Sequence, residues 1–344
     1  MQTLHHYFPG GNTPEGFFSY YREITDSRRN GKLAVIKGGP GTGKSTFLKS
    51  LGKTLCEQGE TVTYLHCSSD PDSLDGIFLP DYNSAVIDGT SPHITDATYP
   101  GAYDIVLNFC DFIGDISEKE IVRSESRLAT STFMEGYCYL RSAKALLELM
   151  HHRSEKALLE DEIRSFSLDI AKRIATFPAN GFRKNVFLSA ITGKGLVNYL
   201  KENLSDYHVI SVESEVGDAT YRLMEMVQNA CSLRNADMIL CRCPMNPQKT
   251  EHLIFPSANL ALVTSHQYHS CTDADEIVSF SDMITKRTSN RFARLLYDEL
   301  LQLAIQTFET AAIHHNRLEA VYRTVTDYSA IESFKQKTLD FLIS

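Results

Sequence analysis

Residues 33–48 decide the fold and read Leu-Ala-Val-Ile-Lys-Gly-Gly-Pro-Gly-Thr-Gly-Lys-Ser-Thr-Phe-Leu. The stretch begins with an apolar run that favours a strand, passes through four glycines, and continues into helix-forming sequence. Its centre is Gly38-x-x-x-x-Gly43-Lys44-Ser45, which is the Walker A pattern in the strand-loop-helix context that the pattern requires. The sequence therefore predicts a phosphate-binding P-loop.

Each residue type in this loop has a task in holding a nucleoside triphosphate. The glycines allow backbone angles and close approaches that a side chain would block, so that successive N–H groups can surround a phosphate. Lys44 is expected to reach the β- and γ-phosphates, and Ser45 to offer its hydroxyl to Mg²⁺. A helix predicted over about residues 44–58 points the positive end of its dipole at the nucleotide. The predicted nucleotide-binding residues are Gly38, Gly39, Pro40, Gly41, Thr42, Gly43, Lys44, Ser45 and Thr46.

A P-loop enzyme also needs an aspartate at the end of another apolar strand. Residues 84–89, Ser-Ala-Val-Ile-Asp-Gly, have that pattern, and we predict that Asp88 shares the Mg²⁺ ion with Ser45 and acts with Lys44 in catalysis. An apolar strand ending in Asp-Gly is also an ordinary strand-to-turn signal. Three further aspartates follow a predicted strand and compete for a metal-linked or water-positioning role: Asp70, Asp72 and Asp75.

The composition suits a globular chain of about two domains. The 344 residues include 42% apolar and 22% charged residues, with a net charge of −9. This acidity argues against a protein whose main task is to coat nucleic acid. The chain shows no secretory signal and no apolar run of about 18 residues, so we expect a cytoplasmic protein whose eight cysteines are reduced.

The second part of the chain repeats the motifs of the first in the same order. Phe8 matches Phe187, and apolar runs, prolines and His93 have partners further along. This shared order predicts an internal duplication. The comparison puts Asp218 at Lys44, Ala219 at Ser45, Thr264 at Asp88, and Glu213 and Glu215 at Gly39 and Gly41. Carboxylates at these positions would repel phosphate, which predicts a degenerate second site.

The predicted fold class is α/β. We expect two tandem three-layer α/β/α units of the P-loop NTPase type, each with an appended helical hairpin or bundle. An active domain is predicted over residues 1–178, with its helical segment at about 114–178. A degenerate P-loop-like domain is predicted over residues 179–344, with its helical segment at about 285–344.

With these motifs in view, the chain resembles an uncharacterised family of bacterial P-loop ATPases with a duplicated nucleotide-binding fold. The likeness is carried by residues 6–16, 37–46, 66–76 and 87–93 and extends over most of the chain. Some members of that family keep a Walker A pattern in the second half, and this sequence departs from it at Asp218 and Ala219. The resemblance implies ATP binding and hydrolysis, without a known substrate or pathway.

Three functions compete at this point. The first is a Mg²⁺-dependent ATPase or ATP switch that signals to an unknown protein partner through its helical segments. The second is a small-molecule or nucleotide kinase in which residues 114–178 close over an acceptor. The third is a nucleotide-gated scaffold with negligible turnover. The absence of a guanine-reading Asn-Lys-x-Asp run favours ATP over GTP.

Two weaker patterns remain open. Candidates for the arginine that stabilises the transition state are Arg28, Arg29, Arg222 and Arg242. A zinc site is an alternative for Cys241, Cys243, His266, His269 and Cys271, although a packing role for these residues is simpler.

Overall fold

A computed structural model describes residues 4–25, 31–287 and 289–344 and shows a mixed α/β fold with two six-stranded sheets. We call residues 1–178 the first half and residues 179–344 the second half. The predicted α/β class is confirmed. No helix in the described part of the chain is both long and apolar enough to cross a lipid bilayer.

The two halves contribute similar series of elements. The first half contains β1 (His6–Tyr7), β2 (Gly10–Thr13), β3 (Gly16–Ser19), β4 (Lys32–Lys37), α1 (Lys44–Glu57), β5 (Thr63–His66), β6 (Leu74–Leu79), β7 (Ser84–Asp88), β8 (Asp104–Asn108), α2 (Lys119–Glu155) and α3 (Glu160–Ile174). The second half contains β9 (Arg183–Val186), β10 (Ser189–Thr192), β11 (Gly195–Asn198), α4 (Leu200–Leu204), β12 (His208–Glu213), α5 (Thr220–Ser232), β13 (Met238–Cys243), β14 (Asn246–Phe255), β15 (Leu260–Ser265), β16 (Glu276–Ser279), α6 (Arg291–Arg323), α7 (Tyr328–Glu332) and α8 (Phe334–Ile343).

The two sheets have the same strand order and the same strand directions. The first is ordered β1-β5-β6-β7-β4-β8 and the second β9-β13-β14-β15-β12-β16. In the first sheet β4 runs parallel to β7 and β8, while β6 runs antiparallel to both of its neighbours. In the second sheet β12 and β14 repeat these relationships. The carboxyl ends of β4 and β7 therefore meet at one edge, where ligands bind in open α/β sheets.

The register of the strands shows which residues of the two sheets correspond. Ile36 of β4 lies opposite Asp88 of β7, and Val212 of β12 lies opposite Thr264 of β15. Asp88 therefore corresponds to Thr264, as the sequence comparison predicts. Counted on from these strands, Gly39 corresponds to Glu215, Gly41 to Gly217, Thr42 to Asp218, Lys44 to Thr220 and Ser45 to Tyr221.

The predicted pairing of Lys44 with Asp218 and of Ser45 with Ala219 is wrong by two residues. A shift of two along a strand keeps the same side chains on the same face, so the apolar pattern cannot distinguish the two registers. The corrected alignment still leaves the second loop without a lysine. It also removes Glu213 from the loop, because Glu213 is the last residue of β12.

The helices of each half pack against the other half. α2 packs along α6, and at Gly136 the aromatic ring of Phe308 fills the space that a side chain would need. α3 then joins the core of the second sheet through residues such as Ile170, while α7 and α8 join the core of the first sheet through Ile331 and Leu342. The division near residue 178 stays a prediction, but neither half closes its core without helices from the other.

Histidine and tyrosine side chains pack where β5 meets the second half. Nδ1 of His66 lies 2.8 Å from the carbonyl oxygen of Pro71 and 2.8 Å from the hydroxyl of Tyr199, and its Nε2 lies 3.0 Å from Nδ1 of His6. Burial lowers the pKa of His66 from its ordinary value of 6.5 to about 4. The folded protein thus holds a neutral ring that the unfolded chain protonates more readily.

We therefore expect the free energy of unfolding to fall as the pH drops from 6.5 towards 4, because the unfolded chain binds the additional proton in that window. The share of His66 should be about 1 to 3 kcal/mol, allowing for its partial exposure. Urea unfolding at several pH values, with His66→Gln beside the exposed control His152→Gln, measures this share. An unchanged slope in His66→Gln would contradict the assignment.

Candidate functional site

The turn between β4 and α1 includes two backbone positions with positive φ, and both are glycines. Gly41 and Gly43 have φ angles of 70° and 80°, in the left-handed region that L side chains rarely adopt. α1 begins at Lys44 and ends at Glu57, which agrees with the helix predicted over about residues 44–58. Pro40 is half-buried in the turn, and Thr46 is exposed on the first turn of the helix.

The loop leaves backbone donors without partners. Within the residues that the structure describes, no protein acceptor pairs with the N–H groups of Gly41, Gly43 and Lys44. Nζ of Lys44 folds back to donate to the carbonyl oxygens of Gly38 and Gly39, at 2.9 and 2.7 Å. Unpaired donors at a helix N-terminus, next to a lysine, form the arrangement that accepts an anion.

The two predicted magnesium ligands lie at the same edge of the sheet. Asp88 ends β7 and is buried, and its Oδ2 lies 3.5 Å from Nζ of Lys44. Its Oδ1 accepts the N–H of Thr90 at 2.8 Å, which fixes the carboxylate. The hydroxyl oxygen of Ser45 accepts the N–H of Leu74 at 3.0 Å. The structure thus places Lys44 beside Asp88, and Ser45 follows Lys44 in the first turn of α1.

The structure separates the three competing aspartates. Asp70 and Asp72 pair with Lys194, each at 2.6 Å, on the surface. Asp75 is instead buried at the start of β6, which runs antiparallel to β7 and so brings this residue beside the end of β7. Its Oδ2 accepts the hydroxyl of Tyr21 at 2.9 Å. Burial raises the pKa of Asp75, and the neighbouring Asp88 adds to the rise while the nearby histidine opposes it.

His93 is the member of this group that the sequence motifs do not single out. Its Nε2 lies 3.8 Å from Oδ1 of Asp75 and 4.0 Å from Oδ2 of Asp88. The ring stacks on Tyr21, with centroids 5.2 Å apart. The sequence repeat matches His93 with His269, and this match is the one sequence feature that could have pointed to His93. The structure shows that both histidines face a carboxylate.

The C-terminal part of the second half covers the outer side of the loop. The Tyr328 hydroxyl donates to the carbonyl oxygen of Gly41 at 2.8 Å. The ring of Tyr322 lies against Gly39, and the backbone of Glu319 lies against Gly41 so closely that a Cβ there would come within 2.5 Å of it. The loop therefore contacts α6 and α7 as well as its own half.

In the corresponding loop of the second half, backbone N–H groups are hydrogen-bonded to side chains of the protein. Oδ2 of Asp218 accepts the N–H of Glu215 at 2.8 Å, and the Ser154 hydroxyl, from α2, accepts the N–H of Ala219 at 3.0 Å. Arg287 pairs with both carboxylates. These ion pairs reduce the charge repulsion on which the sequence-based prediction of a degenerate site rests, and the N–H groups of Glu215 and Ala219 already have acceptors.

A cleft opens beside this second loop. Its floor carries Glu251, whose Oε1 lies 3.0 Å from Nε2 of His269, while Leu196, Met245 and Leu301 line its walls. By strand register Glu251 corresponds to Asp75. The second half therefore keeps a paired carboxylate and histidine although it lacks the lysine.

The remaining predicted groups lie elsewhere. Arg28 and Arg29 fall outside the described residues. Arg222 pairs with Glu225 on α5, and Arg242 bonds to Asn185 in the second half. In the described part of the chain two groups of side chains could hold a metal ion, Glu251-His252-His269 and Asp75-Asp88-His93, and neither contains a cysteine. Burial raises the pKa of the two thiols in β13. The arrangement needed for the zinc alternative is therefore not formed there.

The site is defined by the chain's own residues. It combines a strand-loop-helix turn with unpaired donors, a lysine beside a buried aspartate, and a second buried aspartate with a histidine. Comparison with known proteins does not extend this description: no family model, curated protein or solved structure matches the chain.

Proposed function

We propose that this protein binds ATP with Mg²⁺ at residues 38–46 and hydrolyses it to drive a conformational switch. The observation that carries the proposal is the unpaired N–H groups of the loop beside Lys44, which itself lies near Asp88. The phosphates would take the place of the loop carbonyls as partners of Lys44. Ser45 and Asp88 offer the oxygen atoms that Mg²⁺ prefers.

We also propose that the two halves descend from one duplicated P-loop unit and that only the first binds a nucleoside triphosphate. The shared strand order supports the duplication. The hydrogen bonds of Asp218 and Ser154 inside the second loop support the loss of binding there. The resemblance to bacterial tandem P-loop ATPases agrees with the duplication. If only the first half binds, calorimetry should give one equivalent of bound ATP, and two equivalents would contradict the single site.

The kinase alternative has less support. It requires residues 114–178 to close over an acceptor, yet α2 packs along α6 and α3 packs on α5 of the second half. Incubating the protein with labelled ATP and Mg²⁺, with and without a metabolite extract, decides among the alternatives. Release of free phosphate by the protein alone is expected. Label on a metabolite would support a kinase, and binding without either product would support a scaffold.

Tyr328 is placed to connect the nucleotide to the second half. The C=O of Gly41 and the N–H of Thr42 belong to the same trans peptide and point in opposite directions. The Tyr328 hydroxyl, which donates to that carbonyl, therefore lies on the side of the peptide opposite the Thr42 N–H. It should strengthen that N–H as a donor to phosphate. By linkage, ATP should stabilise α7 and slow hydrogen exchange there.

We expect Tyr328→Phe to weaken ATP binding about two- to fivefold, because the hydrogen bond to Gly41 exists without nucleotide and only the part by which ATP strengthens it, about 0.4 to 1 kcal/mol, is lost. The ring that contacts Gly43 is kept. Calorimetric titration with a non-hydrolysable ATP analogue measures the effect, and Tyr99→Phe, an exposed tyrosine of the first half, is the control. Unchanged affinity together with unchanged exchange in α7 would show that this contact does not transmit the nucleotide state.

A further inference from the structure

Asp75, Asp88 and His93 surround a gap instead of bonding to one another. All three residues are buried, and the possible ligand atoms lie within 4.8 Å of one another. The distances from Nε2 of His93 to the two carboxylates, 3.8 and 4.0 Å, are too long for hydrogen bonds. A metal ion with bonds of about 2.1 Å holds neighbouring ligand atoms about 3.0 to 3.5 Å apart, so the two histidine–carboxylate distances would have to shorten by about 0.3 to 1 Å to enclose one.

The charges around the gap also favour a bound cation. Two buried carboxylates face one another across it, and burying such charges is costly unless they are paired. Lys44 approaches only Asp88, at 3.5 Å, and it is the residue that phosphate would draw away. Asp75 has the Tyr21 hydroxyl as a donor and no lysine or arginine among its described ion pairs. An ion in the gap would neutralise both groups.

His93 is free to act as the third ligand. Its side chain is about nine-tenths buried, and its Nδ1 has no hydrogen-bond partner among the described residues. No hydrogen bond at Nδ1 fixes the tautomer, and the ring with its proton on Nδ1 would direct the lone pair of Nε2 into the gap. The stacked ring of Tyr21 fixes this orientation.

The corresponding group in the second half serves as an internal comparison. There Thr264 replaces Asp88, and His269 bonds directly to Glu251 at 3.0 Å, so no gap remains. Nδ1 of the adjacent His252 accepts the N–H of Thr264 at 3.1 Å, which puts the proton of the neutral ring on Nε2. That histidine has no lone pair for an ion in this orientation. The open arrangement thus occurs where there are two aspartates.

We infer that Asp75, Asp88 and His93 form a binding site for a divalent transition-metal ion, next to the proposed Mg²⁺ position and sharing Asp88 with it. One imidazole and two carboxylates suit ions such as Mn²⁺, Fe²⁺ or Zn²⁺, whereas Mg²⁺ prefers oxygen ligands alone. The inference goes beyond the proposed function, because the ion should bind without nucleotide. In the presence of ATP it would lie beside the phosphate-binding loop.

The test uses full-length protein, treated with a chelator and free of nucleotide, titrated with Mn²⁺ and followed by electron paramagnetic resonance. We expect one equivalent to bind, with a ¹⁴N coupling in the spin-echo spectrum from the imidazole. Zn²⁺ should displace the Mn²⁺, since it binds such ligands more tightly, and Mg²⁺ at equal concentration should not. No binding, or binding without the ¹⁴N coupling, overturns the inference and leaves the ATP proposal untouched.

Variants locate the ion. His93→Gln should weaken Mn²⁺ binding at least about tenfold and remove the ¹⁴N coupling. His269→Gln, the equivalent change in the second half, should leave both unchanged. Circular dichroism checks that each variant is folded, and the wild-type spectrum tests the inference even if one is not. Loss of the coupling in His269→Gln with its retention in His93→Gln would place the ion in the second half and refute the assignment.

Discussion

Replacing Leu342 by alanine is expected to lower the free energy of unfolding by about 2 to 5 kcal/mol, the usual cost of emptying a fully buried leucine site. Leu342 lies two residues from the end of the sequence, where substitutions usually cost little. Here its side chain is completely buried in the core of the first sheet. Its carbonyl oxygen also accepts the hydroxyl of Ser84 in β7 at 2.6 Å.

The location of the damage is as informative as its size. Hydrogen exchange should become faster in β4 and β7, in the first half, although the substitution lies in the second. Ile170→Ala is the reciprocal change, because α3 belongs to the first half and packs on the second sheet. It should loosen β12 and β15 instead.

Neighbouring residues provide the controls. Ile343 follows Leu342 on α8 but is 38% exposed, and Leu168 lies on α3 with 51% exposure. Alanine at either position should change stability by about 0.5 kcal/mol or less. If Leu342→Ala loosens the strands of its own half and spares β4, the exchange of helices between the two cores does not occur in solution.

Local features of the site could be predicted from the sequence because short-range chemistry determines them. The glycines and lysine of the loop sit at fixed spacing between a strand and a helix, and the structure gives α1 its predicted start at Lys44. Asp88 likewise ends an apolar strand beside β4, as its Asp-Gly pattern predicts. In both cases neighbouring residues in sequence carry the information.

Features that depend on distant parts of the chain could not be predicted. The apolar pattern of α3 predicts a helix but does not specify which sheet it covers, so its packing on the second half needed the structure. The two-residue register error arose because both alignments bury the same face. The role of His93 depends on β6 running antiparallel to β7, which brings Asp75 to the same edge.

Replacing Lys44 by alanine is expected to abolish most ATP turnover, by about 100-fold or more, the scale on which loss of one charge-stabilising group acts. Among the described residues, Lys44 is the only lysine or arginine that donates to the loop carbonyls, with its Nζ 2.9 Å from the oxygen of Gly38 and 2.7 Å from that of Gly39. Its removal also leaves Asp88 facing Asp75 without a nearby ammonium group. ATP affinity should therefore fall together with turnover, as calorimetry and phosphate release can show.

Lys53→Ala is the matched control, since Lys53 lies on the same helix with its side chain 78% exposed and pairs with Glu57. It removes the same charge without touching the loop, so turnover should stay within about twofold of wild type. Equal nucleotide affinity in wild type and Lys44→Ala would refute the proposed site. If Lys44→Ala loses ATP affinity but still binds Mn²⁺, the nucleotide site and the metal site are separate. This outcome is possible because Lys44 contacts Asp88, one of the three proposed metal ligands, but is not itself a ligand.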